Sequence, residues 1–193
     1  MKLILASESP YRKELLERLN LKFSCLPADI DEELIWKKDL SPTEVAIELS
    51  RQKAKKVFDQ NKDSIVIGSD QIIAFNKTIL GKPKTVERAI EQLALLQSGP
   101  HKLVTAVCIM SMDKTVTFKN ETILKIREDL SEKDISAYVN YDQPLNCAGS
   151  YKIEGMGIAL FEKVETSDFT SIIGLPLMQT AKHLKDFGIE IFK

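Results

Sequence analysis

The chain opens with an apolar run, Leu3 to Ala6, and turns abruptly polar at Ser7-Glu8-Ser9-Pro10-Tyr11-Arg12. That change predicts a short strand emptying into a turn. Ser9 suits the N-cap and Pro10 the first position of a helix running to about Leu19, with Leu15, Leu16 and Leu19 on one face. Phe23 to Leu26 reads as a second short strand. The acidic stretch Asp29 to Glu33 has no period and reads as a loop. Ser41-Pro42-Thr43-Glu44 combines an N-cap, an N1 proline and a capping-box glutamate, so a helix follows to about Phe58. Ser64 to Ser69 is β-branched and continuously apolar at its centre, as in a strand buried on both faces. Asp70 and Gln71 fall at its carboxyl end, with Ile72 to Phe75 as a continuation.

Gly81-Lys82-Pro83 breaks the chain before an amphipathic helix from Val86 to Leu96, stopped near Gly99. Leu103 to Met112 and Val116 to Ile126 read as successive strands, Ser131 starts a helix through Tyr138, and Cys147 to Glu162 reads as glycine-punctuated strand. A last helix, Leu175 to Phe187, follows Gly174 and carries Pro176 in its first turn. The alternation predicts an α/β fold, a mixed sheet flanked by helices, and two lobes around a central cleft within one domain spanning 1–193.

Composition narrows the partners. The 193 residues are 44% hydrophobic, enough for a sizeable core. With 27 basic and 28 acidic side chains the formal charge is -1, so no global field attracts a nucleic-acid polymer, although a local pocket for one small anion stays open. The first apolar run is too short for a signal peptide and no later run is long enough to span a bilayer, so a soluble, cytoplasmic protein is expected. Cys25, Cys108 and Cys147 are dispersed, as are His101 and His183, which points to core thiols and structural histidines rather than a disulfide framework or a zinc site.

Several polar residues suggest chemistry. Beside a helix N-terminus, Ser7, Ser9 and Arg12 with aromatic Tyr11 could cradle a phosphorylated, ringed ligand, or could simply cap the helix. Asp70, at a strand end with small or polar neighbours Gly68, Ser69 and Gln71, leaves room for a water or a metal ion. Lys82, held in a Gly-Lys-Pro turn, suits phosphate, although that tripeptide is also an ordinary turn. There is no GxxxxGK[ST], which removes the P-loop reading.

In order, LASESPYRKELL, DIDE, the lysine of RQKA, IGSDQ, ILGKP, CAGSYKIEGMGIALFE and IIGLPL resemble the Maf-type nucleoside triphosphate pyrophosphatases along nearly the whole chain. The resemblance implies a hydrolase that cuts the α–β phosphoanhydride of a nucleotide, releasing a monophosphate and pyrophosphate. It implies the two-lobed architecture of the inosine-triphosphate pyrophosphatases and a divalent cation, Mg2+ or Mn2+. Asp70 would be the proton acceptor or hold the metal. Glu32 would be a second metal carboxylate or position the water, unless it is only an exposed loop acid. Ser7, Ser9, Arg12, Lys53 and Lys82 would bind the substrate. Where the family usually has two arginines after Ser-Pro, this chain has Tyr11-Arg12; together with Gln71 and Glu154 this looks like the branch acting on 7-methyl-GTP. Alternatives are a dTTP/UTP pyrophosphatase of the same family and a non-catalytic nucleotide-binding regulator of cell division. A homodimer is left open.

Overall fold

The computed structural model describes residues 1–36 and 39–192. Strands β1 (Lys2–Leu5), β2 (Phe23–Cys25), β3 (Ser64–Phe75), β4 (Thr78–Leu80), β5 (His101–Met110), β6 (Thr115–Ile126) and β7 (Phe161–Glu165) form a sheet of order β2-β1-β3-β5-β6-β7, with β4 paired to β3. The sheet is mixed: β1 runs parallel to β2 and β3, whereas β3–β4 and β6–β7 are antiparallel. The helices are α1 (Pro10–Glu17), α2 (Glu33–Trp36), α3 (Pro42–Asp59), α4 (Val86–Gln97), α5 (Glu132–Asp142), α6 (Thr170–Ile173) and α7 (Leu177–Lys185). None is long and apolar enough to cross a membrane.

Two compact units are built from this chain: Met1–Gln71 with Thr105–Asn120 and Asp168–Lys193, and Ile72–Val104 with Glu121–Ser167. In the first, side-chain alternation along β1 and β3 makes two cores. Leu3, Leu5, Ile65 and Ile67 pack with Leu15 and Leu16 of α1 and Leu177 and Leu184 of α7. Ile4, Ala6 and Val66 pack on the opposite face with Ala54, Val57 and Phe58 of α3. Both faces of these parallel strands are therefore covered, which explains the unbroken apolar run from Ile65 to Ile67.

The helix starts agree with the sequence reading. Ser9 Oγ accepts from Arg12 N, and Ser41 and Glu44 form a reciprocal capping box. Several other expectations are corrected. Cys147 to Glu162 is two 3-10 turns, Ala148–Ser150 and Met156–Leu160, because Gly149 at φ 71 and Ser150 at φ 64 take the left-handed conformation and break any strand. The strand of this region begins only at Phe161. The final helix is a single element that starts later than expected, at Leu177: Pro176 is its N-cap instead of sitting in its first turn, and Gly174 at φ 124 ends the separate short α6 before it. The acidic segment is not all loop, since the Glu32 carbonyl accepts from Ile35 N and Trp36 N to start α2. Only Cys108 is a core thiol; Cys25 and Cys147 are half-buried.

Candidate active site

Asp70 does not end a strand. Pairing of β3 with β1 stops at Ile67, and β3 then continues past Asp70 into the antiparallel hairpin with β4. Asp70 thus lies just beyond the end of a parallel pair, the usual place for ligands in α/β sheets, yet it is only 4% exposed. Gly68, expected to leave room for an ion, serves another purpose. A Cβ there would lie 2.3 Å from the Ser50 carbonyl oxygen and 2.5 Å from Ala54 N, so the missing side chain lets α3 settle directly onto β3.

That close approach delivers Lys53, the neighbour of Ala54. Its Nζ donates to Asp70 Oδ1 at 2.5 Å and lies 2.7 Å from Glu32 Oε1. Asp70 Oδ2 is buried and has no hydrogen-bond partner among the described residues. Burial raises the Asp70 carboxyl above its ordinary value, against the opposing pull of Lys53 and Arg12. Among the described residues no group of three or more His, Cys, Asp or Glu is placed to hold a metal ion.

Arg12 is gripped from two sides. Its Nε donates to the Gly174 carbonyl at 3.0 Å and its Nη1 to Ser7 Oγ at 3.5 Å. Burial lowers the guanidinium below its ordinary value, and Asp70 and Glu32 raise it in opposition, so both carboxylates fall within its field. Ser7 Oγ also accepts from Ser9 N. The structure therefore gathers Ser7, Ser9, Arg12, Glu32, Lys53 and Asp70 in the first unit. Tyr11, 36% exposed, opens α1 beside them. Gln71 is tied down in the same unit: its Nε2 donates to Thr105 Oγ1 and to the carbonyls of Ser171 and Ile172.

Lys82 and Glu154 belong to the second unit. There the exposed Glu154 occupies the turn closed by Gly155 N on the Lys152 carbonyl. Lys82 and Glu154 both act electrostatically on the Cys147 thiol, whose value burial raises. Sequence reasoning missed Gln92, which donates to the Gly81 carbonyl beside Lys82 and accepts from Ser150 Oγ at 2.6 Å. A glutamine on an amphipathic helix gives no signal of that strut. It also missed the anchoring work of IIGLPL, where the Gly174 carbonyl accepts from Ser69 Oγ as well as from Arg12. His101 is buried against Tyr151 and pushed down to about 4 by burial, a structural residue as expected.

Gly174 offers a direct test of the grip on Arg12. A Cβ there would stand 3.2 Å from Arg12 Nε, on a backbone whose φ of 124 disfavours any side chain. Gly174→Ala is expected to cost about 1–3 kcal/mol of stability. It should also mimic Arg12→Ala in assays of phosphate-ligand binding. Additive losses in the double variant would show that Gly174 does not act through Arg12.

The family described as Maf-like protein matches residues 2–187. A 7-methyl-GTP pyrophosphatase of Bdellovibrio bacteriovorus is 43% identical over 187 residues, 97% of each chain. A dTTP/UTP pyrophosphatase of Bacillus cereus is 39% identical over 190 residues, covering 98% of this chain and 97% of that one. Among solved structures, a nucleoside-triphosphatase, dITP/XTP pyrophosphatase, from Mycobacterium abscessus aligns with a TM-score of 0.44 and 14% identity over 68% of this chain and 77% of that one. With a family match over nearly its whole length and relatives near 40% identity end to end, this chain belongs to the Maf-like protein family.

Proposed function

We propose that this chain is a cytoplasmic pyrophosphatase that hydrolyses the α–β phosphoanhydride of a nucleoside triphosphate, with 7-methyl-GTP as substrate, releasing the monophosphate and pyrophosphate. The observation that carries the reading is the buried Asp70 carboxyl, raised by burial and left with one oxygen unpaired among the described residues, beside Lys53, Glu32 and Arg12. Such a group can take a proton from a water held against it. Arg12 and Lys82 would bind phosphate oxygens, with Ser7 and Ser9 hydroxyls as further donors.

A divalent cation fits the donor set, Glu32 and Asp70 offering hard oxygens and Asp70 Oδ2 an unused one. Two carboxylates suffice for Mg2+ or Mn2+ when substrate phosphates supply other ligands. When bound, such a cation would neutralise phosphate charge and acidify a water.

The 7-methyl-GTP reading rests on Tyr11, Gln71 and Glu154. Methylation at N7 gives guanine a positive charge, from which an aromatic face gains about 0.5–2 kcal/mol. Glu154 can accept from the guanine N1 and exocyclic amine, whereas it would oppose the carbonyls of uracil or thymine. The committed Nε2 of Gln71 supports an indirect part in specificity, through the Ser171–Ile172 backbone. Wild type is expected to show a higher kcat/KM for 7-methyl-GTP than for UTP, and Glu154→Gln with Tyr11→Arg should narrow the ratio by about tenfold or more. A wild type that prefers UTP would favour the dTTP/UTP reading instead. No pyrophosphate release from any nucleotide would leave only a binding protein.

A further inference from the structure

Lys53 is held in an unusual position for a residue whose task is to meet phosphate. Its ammonium sits between two carboxylates, 2.5 Å from Asp70 Oδ1 and 2.7 Å from Glu32 Oε1. The Lys53 and Asp70 side chains are 13% and 6% exposed, so the ion pair is largely removed from water. Lys53 comes from α3 and Asp70 from β3, and Gly68 fixes their separation by letting the Ala54 backbone rest on the strand. The ammonium is therefore built into this place by the packing, not swept into it by a mobile surface chain. Beside it, Asp70 Oδ2 is buried without a hydrogen bond among the described residues, an oxygen that the ammonium does not satisfy.

Two carboxylates converging on one point form a place for a cation, and the cation that lies there is the protein's own Lys53 ammonium. We propose that the Lys53 ammonium is the resident counter-ion of the Glu32–Asp70 pair, which a divalent metal must displace, so that metal binds well only when nucleotide phosphates offer the ammonium a new partner. The inference rests on the pyrophosphatase reading for the identity of that partner. Its physical basis is simple. An ammonium and a divalent ion cannot share the same two oxygens without strong repulsion in a site of low dielectric. Losing Lys53 from its carboxylates costs more than a divalent ion alone recovers, unless the lysine gains charge-assisted contacts elsewhere. Phosphate oxygens provide those contacts, and metal and nucleotide then favour each other reciprocally. The arrangement would guard against binding of free metal in an incomplete site and keep the buried Asp70 and the half-exposed Glu32 compensated between turnovers.

The test uses the full chain and Mn2+ as the probe, with binding read by electron paramagnetic resonance and no turnover involved. Without nucleotide, Lys53→Met is expected to bind Mn2+ about tenfold or more tightly than wild type. Lys53→Met with Asp70→Asn should lose that gain. A methylene-bridged 7-methyl-GTP analogue, resistant to hydrolysis, should tighten Mn2+ binding by wild type much more than by Lys53→Met. Equal or weaker Mn2+ binding by Lys53→Met, a gain that survives Asp70→Asn, or equal tightening in both proteins overturns the proposal. Lys53→Gln replaces Lys53→Met should the latter fail to fold. If neither folds, the Lys53 Nζ resonance of 15N-labelled wild type decides: a change on adding Mg2+ alone, or none on adding Mg2+ with the analogue, overturns the idea, and a change only when the analogue is present upholds it. Absence of hydrolysis in the substrate assay, with tighter Mn2+ binding by Lys53→Met, would instead sink the enzymatic reading and leave the counter-ion role standing.

Discussion

Asp70→Asn is expected to lower pyrophosphate release by about a hundredfold or more while leaving the fold intact, as loss of a general base or metal carboxylate should. The same change should raise stability. Burial holds the Asp70 carboxyl above its ordinary value near 3.8. The folded chain therefore binds this proton more tightly than the unfolded chain does, and stability is lost as pH rises from 3.8 through the folded value. Wherever the pH exceeds the folded value, the charged, desolvated carboxylate is a cost that asparagine removes, while Lys53 keeps Glu32 as partner. Melting temperatures of the two proteins should diverge as pH increases through that window, with the variant higher. Near-wild-type turnover would take Asp70 out of the chemistry, and a variant less stable at every pH would contradict the electrostatic account.

Gly68→Ala should be among the most damaging small substitutions in the first unit. Its new methyl would fall 2.3 Å from the Ser50 oxygen and 2.5 Å from Ala54 N, both backbone atoms that no rotamer change can move. Overpacking of this kind costs about 3 kcal/mol, equivalent to a fall of roughly 6–12 °C in Tm for a chain of this size. Because relief requires α3 to lift from β3, Lys53 should leave Asp70 as well. Turnover of the still-folded fraction is then expected to fall by about tenfold or more, whereas a purely structural defect would leave it unchanged. The check pairs a melting curve with an activity assay well below the transition. Full activity per folded molecule would show that Lys53 does not depend on this contact.

How the site is assembled was only partly readable from the chain. The caps at Ser9 and Ser41 were legible because N-cap chemistry is local: the side chain bonds to a backbone N–H three residues on. The run Ile65 to Ile67 was legible because burial on both sheet faces leaves no polar alternation. The Cys147 to Glu162 stretch misled, since its apolar residues resemble a strand while its left-handed Gly149 and Ser150 impose turns. The continuation of this strand through Ile72 to Phe75 was legible as an apolar run, whereas the sequence does not mark that Asp70 falls where the strand exchanges a parallel neighbour for an antiparallel one.

By itself the sequence determined the helix starts, the alternation of strands and helices, and, through motifs in family order, the family and the set of polar residues worth testing. Those signals are local in the chain or carried by residue type, so they survive without coordinates. Only the tertiary structure decided that Gly68 is a packing contact, that Gly174 offers its carbonyl to both Arg12 and Ser69, and that Lys53 lies between Glu32 and Asp70. Each of these joins segments far apart in sequence through a distance of a few ångströms, fixed by how closely a helix or turn can approach a strand. Burial likewise decided the chemistry of Asp70, because an aspartate takes its proton affinity from the water it has lost and the charges it has gained.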